Sequence, residues 1–81
     1  MNGWEDCAIT LPVHHAGSIT MTYRNHRGEV SRRTVLPSDV WFGATEWHLE
    51  RQWFLRAFDP DRNAYRDFAM RDMTEVTDVP D

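Results

Sequence analysis

The sequence contains no lysine and only one cysteine, Cys7, in 81 residues. A single cysteine excludes an intrachain disulfide framework, and with it the secreted mini-protein that staples a small core covalently. No apolar run is long enough for a membrane span. The opening "MNGWEDCAIT" holds Glu5 and Asp6 and no basic residue, unlike a secretory leader, so a cytoplasmic protein with no membrane association is expected. Internal repeats and low-complexity tracts are missing. So are a Ser-His-Asp order, a phosphate loop and a dinucleotide fingerprint. A non-enzymatic role is therefore the expectation, and no cofactor is implied. Metal ligands are sparse: His14 and His15 are adjacent and point apart in an extended chain, and Glu46, His48 and Glu50 alternate without a second His or Cys at fixed spacing. No metal site is expected. Cys7 lies in an irregular stretch with no catalytic constellation around it, so it is a packing residue or a spare thiol rather than a nucleophile.

Without lysine, every cation is an arginine, whose planar fork suits phosphates and carboxylates. A high-GC genome would produce the same bias. The charge is unevenly placed. Residues 24–71 hold all nine arginines against seven acids, whereas residues 72–81 hold Asp72, Glu75, Asp78 and Asp81 and no base. A slightly basic middle thus lies between acidic ends, within a formal net charge of −4. A chain this short is one domain, and it buries only about 60–65% of the surface that its unfolded form exposes. Four Trp, four Phe and two Tyr supply the bulk for that small core.

Hydrophobic alternation organises the chain. "SITMTYRN" puts Ile19, Met21 and Tyr23 on one face and Thr20, Thr22 and Arg24 on the other, which predicts a half-buried strand. "NHRGE" supplies a tight turn and "VSRRTVL" a second strand, so residues 18–36 read as a hairpin. Pro37 is expected to stop that ladder. Val40, Trp41 and Phe42 suit a third strand, with Ser38 as the cap of a short helix as the alternative. "QWFLRAFD", Gln52 to Asp59, is the fourth strand, "PDRNA" a turn, and "YRDFAM" the fifth strand. A short turn at 71–74 and an acidic flexible tail over 75–81 complete the reading. The fold class is all-β: about five short strands forming a small, strongly bent antiparallel sheet or a partly open barrel.

Several of these segments resemble one known family. "WFLRAFD", Trp53 to Asp59, resembles the signature strand of the WYL domain, with Phe54 where the Trp-Tyr-Leu run of that family has Tyr. "RTVLP", Arg33 to Pro37, is similar to its Arg-x-Val-x-Pro segment. "RDFAMRDM", Arg66 to Met73, is similar to its Arg-x-Phe segment, and "MTYRN" resembles its opening strand. The likeness runs from Ser18 to Met73. It implies a Sm-like or Src-homology-3-like barrel over 18–74, preceded by an N-terminal extension, 1–17, of uncertain structure. It also implies an effector-sensing module rather than an enzyme. Such modules usually follow a helix-turn-helix domain in bacterial transcription regulators, and some serve as accessory proteins of defence systems. Their arginine-lined groove is thought to bind single-stranded nucleic acid or a nucleotide. This sequence shows no helix-turn-helix. Its connection "FGATEWHLERQ" is longer than expected and resembles small stand-alone members from alphaproteobacteria and their phages.

The candidate ligand-binding residues are Arg33, Arg56, Arg66, Arg32, Arg71 and Phe54. Arg33 and Arg66 stand at family arginine positions, and Arg71 at that of its closing arginine. Strict alternation would turn Trp53, Leu55 and Ala57 to the core and Phe54, Arg56 and Phe58 to a working face, where a guanidinium between two rings could stack on a base. The alternative for Arg56 is an ion pair with Asp59 or Asp67, and for Arg33 and Arg66 one with Glu29 or Asp67. Arg32 and Arg24 read as rim charges. Trp47, beside Glu46 and His48 in a connection, is the candidate partner contact, together with His48. The rival functional reading is a phage or mobile-element protein-interaction module, an inhibitor or accessory factor with no nucleic-acid ligand. A third reading is a homo-oligomer joined through barrel edges.

Overall fold

The computed structural model describes residues 10–12 and 17–78. Cys7, His14, His15 and residues 79–81 lie outside the described residues. The strands are β1 (Thr10–Pro12), β2 (Ile19–Arg24), β3 (Val30–Gly43), β4 (Gln52–Asp59), β5 (Ala64–Ala69) and β6 (Met73–Asp78), with a 3-10 turn, Met70–Asp72, between the last two. They form an antiparallel sheet in the order β5-β4-β3-β2-β6, and β1 pairs with β3 off this path. The architecture is the expected all-β one. The sheet bends strongly but is not closed, and β5 and β6 are its two edges.

Local chemistry sets the turns. Asn25 Oδ1 accepts from the backbone N–H groups of Arg27 and Glu29, at 2.9 and 3.0 Å, and Gly28 takes φ +82°, a left-handed conformation open to glycine. Asn63 takes φ +50° at the β4–β5 turn, where Asp59 Oδ1 accepts from the Asp61 N–H at 3.1 Å.

Pro37 does not end the ladder. β3 runs through it for 14 residues, so the expected second and third strands are one. The pairing with β2 ends at Val35 and that with β1 begins at Asp39. Pro37 therefore sits where β3 changes partners on that side, and its missing N–H falls in the gap between two ladders. Against β4 the register shifts there as well: Pro37 faces Ala57 and Asp39 faces Arg56, which leaves Ser38 as the extra residue of a bulge.

One extra residue flips a strand's alternation. Val35 before the bulge and Val40 after it both meet the main core of Ile19, Met21, Tyr23, Leu55, Ala57 and Phe68. Trp41 is turned to the opposite side. There it stacks on Phe54, its cross-strand partner, at 4.7 Å between ring centroids, and Ala69 completes a second small core. The strand β4 thus has apolar cover on both sides. Phe54 is fully buried, whereas Trp53, expected inside, is 40% exposed and packs edge-on against Phe42. Gly43 is tied to the same cluster, because a Cβ there would lie 2.8 Å from the Trp41 ring.

The acidic end is also in the sheet. Residues 75–78, expected in a flexible tail, belong to β6 and pair with β2 across a bulge that places Glu75 at φ +51°. Tyr23 crosses the core of the open sheet. Its hydroxyl accepts from the Ala69 N–H of β5 at 2.9 Å, and its ring meets Phe68 edge-on. Burial raises the pKa of this phenol, and the backbone hydrogen bond opposes the shift.

Replacement of Phe54 by Ala should cost about 3–5 kcal/mol, the usual penalty for removing a buried aromatic ring. Urea unfolding checks this, and a loss below ~1 kcal/mol would contradict the second core.

Candidate ligand cleft

The two turns and the long connection converge on one side of the molecule. The β2–β3 turn (25–29), the start of β3, the segment 45–48, the β4–β5 turn and β5 enclose a cleft of ≈ 820 Å³. Arg27, Arg33, Arg62 and Arg66 line it, against two acids, Glu29 and Asp67.

These arginines differ in their partners. Arg33 points along the core face of β3 and pairs with Asp59 at 3.1 Å, with side chains only 14% and 2% exposed. Its Nε donates to Ser31 Oγ at 3.0 Å. The ion-pair alternative therefore holds for Arg33, but with Asp59, the same carboxylate that caps the β4–β5 turn. Arg27 lies 3.9 Å from Glu29 in an exposed pair, which contributes little. Arg62 and Arg66 are exposed and have no acidic partner among the described residues. The uncompensated charge of the cleft is thus theirs.

Aromatic rings stand beside these cations. Trp47 is 61% exposed and stacks on His26 at 4.7 Å between centroids, so that the 45–48 segment and the β2–β3 turn meet ring to ring. Thr45 shapes this segment: its Oγ1 accepts from the N–H groups of Trp47 and His48 at 3.2 and 3.0 Å. Tyr65, half-exposed, lies on β5 and packs edge-on against Phe58. Asp67 accepts from Trp41 Nε1–H at 2.9 Å. Burial raises the pKa of this carboxyl, and the Trp41 bond and the charge of Arg56 oppose the shift.

The remaining candidates lie elsewhere. Arg56 is on the other side of β4, where its guanidinium covers the Tyr65 ring at 4.6 Å and its cross-strand neighbour is Asp67. Arg32 alternates with Arg33 and reaches the outer face, donating to Thr22 Oγ1 at 2.8 Å and to the Glu75 carbonyl at 3.4 Å. Arg71, on the 3-10 turn, lies 3.4 Å from Glu50 and borders a separate apolar groove with Val40, Gln52, Trp53 and Met70. Phe54 is buried and presents nothing to a ligand. The structure therefore brings Arg33, Arg66, Trp47 and His48 to one cleft and keeps Arg32, Arg56, Arg71 and Phe54 out of its lining. Sequence reasoning missed His26, Arg62 and Tyr65. Their signal was weak but present: each turn tip carries an arginine, Arg27 and Arg62, and tips of adjacent hairpins in a bent sheet can approach each other. Among the described residues no group of three or more His, Cys, Asp or Glu side chains converges as metal ligands would, and no helix is long and apolar enough to cross a membrane.

The described residues thus form a small all-β domain with a cationic, aromatic cleft at its turns. The family model of the WYL domain matches residues 13–78, and the chain belongs to the WYL domain family. In general terms it is a ligand-sensing regulatory module. No curated protein and no solved structure matches it.

The two cleft arginines at family positions should contribute differently to stability. Asp59→Ala leaves Arg33 charged and unpaired in a largely buried setting and should cost about 3–5 kcal/mol, whereas Arg66→Ala should stay within ~0.5 kcal/mol. Denaturant midpoints of the two variants check the contrast.

Proposed function

We propose that the chain is a non-enzymatic WYL module, on a bent sheet of the Sm-like or Src-homology-3-like kind. It binds a short single-stranded nucleic acid or a nucleotide in the cleft between its turns. The observation that carries this reading is the convergence of Arg62 and Arg66, without acidic partners among the described residues, with the stacked Trp47–His26 pair in the same cleft. Guanidinium forks suit phosphate oxygens and exposed rings suit nucleobases, and the two together are the usual means of holding a single strand without reading its sequence. A cleft of ≈ 820 Å³ is of a size that holds a nucleotide. Arg33 takes part as a wall of the cleft, its charge already met by Asp59.

The consequence of binding would pass to a protein partner, in transcription regulation or in an accessory role. One surface feature favours such a partner independently. The groove of Val40, Gln52, Trp53, Met70 and Arg71 is mostly apolar, and Trp53 and Met70 are each 40% exposed beside it. A protein-interaction module that takes no nucleic acid is the second reading, and this groove is its support.

Titration of the intrinsic tryptophan fluorescence with short single-stranded DNA and RNA separates the two. Saturable quenching is expected, weakening as salt rises. Trp47→Ala should abolish most of the quenching. Arg62→Ala and Arg66→Ala should each reduce the slope of log affinity against log salt by about 0.7, the value for one phosphate contact on a single strand. A folded sample that shows no response to any oligonucleotide would remove the nucleic-acid reading and leave the apolar groove as the functional surface.

A further inference from the structure

We propose that residues 44–50 form a flap over the arginine cleft that acid releases, with the imidazole of His48 as its pin. The segment has no strand partner of its own. Backbone hydrogen bonds between Thr45 and His48, at 2.9 and 3.3 Å, and the Thr45 side chain close it into a tight turn. Two rings fasten that turn to the rest of the molecule. Trp47 stacks on His26 across the cleft. His48 packs edge-on against Phe54 at 5.6 Å, over the second core, with its side chain 14% exposed.

The imidazole is partly buried, and its Nε2 has no fixed proton partner among the described residues. Its Nε2 is shielded from solvent and makes no hydrogen bond. The nearest carboxylate oxygen, Asp72 Oδ2, is 3.8 Å away, beyond hydrogen-bond distance. The other charged or titratable groups that face the ring are Arg71, beside Asp72 on the 3-10 turn, and His26 across the cleft. Both oppose a positive charge on His48, and Asp72 alone favours one. Burial, the largest influence, holds the pKa of His48 below the ordinary imidazole range, and the pull of Asp72 does not restore it.

Linkage then fixes the direction. A released flap would return His48 to water and to an ordinary imidazole pKa near 6.5. The proton therefore binds the released form more tightly than the closed one, and lowering the pH through that value favours release. Release would withdraw Trp47 from the cleft and uncover the Trp41–Phe54 stack. The flap itself does not depend on which ligand the cleft takes; only the regulatory meaning of its release rests on the nucleic-acid reading.

The test uses the full chain without ligand, so the two can fail separately. Amide hydrogen exchange is measured by NMR at pH 7.5 and pH 5.0, with each rate divided by its intrinsic value. The opening equilibrium reported by the Trp47 and His48 amides should rise on acidification by up to about tenfold for each pKa unit that separates the closed and released imidazole. The amides of Met21 and Leu55 should not follow, which distinguishes flap release from global unfolding. His48→Phe keeps a ring against Phe54 and should flatten the response. Asp72→Asn removes a charge that favours the imidazolium and should enlarge it. An unchanged normalised rate in the wild type, an equal acid response in His48→Phe, or a smaller one in Asp72→Asn would each overturn the proposal.

Discussion

One extra residue in one strand organises this molecule. Without the bulge at Ser38, strict alternation along β3 would turn Val35 and Val40 to opposite faces, and the main core could not run the length of the strand. With it, both valines face inward and Trp41 is sent to the other side, where it needs cover of its own. Phe54 and Ala69 supply that cover, and His48 reaches it from the long connection. The same point in the chain lets β3 pair first with β2 and then with β1. A proline is tolerated there because no ladder needs its N–H. The two-sided burial of β4 and the path of the 44–50 segment both follow from this local departure from the pleat.

The cleft depends on a second constraint, the burial of Asp59. A carboxylate this enclosed needs partners, and it has two: the N–H of Asp61 in its own turn and the guanidinium of Arg33 on the neighbouring strand. Arg33, one of the two arginines at family positions, is thereby committed to structure as well as to the cleft wall. The cleft cations without an acidic partner among the described residues are those on the turn and the edge strand, Arg62 and Arg66, where side chains lose little by staying in water. This division of labour explains why a chain with a net negative charge can hold a cationic site. Glu75 and Asp78 lie on β6 and Asp59 is paired with Arg33, and two cleft arginines have no acidic partner among the described residues.

Much of this was legible in the sequence. The alternation of Ile19, Met21 and Tyr23, the Asn25–Gly28 turn, and the span Gln52–Asp59 as a strand all reappear in the fold. So does the buried Phe68 that follows Arg66 at the spacing of the family motif. These are local properties: a period of two, a residue that tolerates positive φ, a carboxamide that caps its own turn. Arg33 and Arg66 were read as candidate ligand residues and Trp47 as a candidate partner contact; the structure places all three on the lining of one cleft, and nothing in their positions revealed their partners.

What failed to show were the features that need two distant segments. The period-two rule assigned Phe54 to a working face because it assumes a sheet with one wet side, and the covering residues come from 13 and 15 positions away, Trp41 and Ala69. Residues 75–78 looked like a charged tail because five of the seven residues from 75 to 81 are acidic or small and polar or proline, yet β2 offered an unpaired edge and the backbone took it. The sequence by itself determined an all-β chain, its turns, its cation chemistry and its family. Tertiary structure alone decided which arginine is neutralised, which ring is buried, and which turn tips meet. Those outcomes depend on through-space distances and shared burial, and a one-dimensional pattern carries the residues but not their separation.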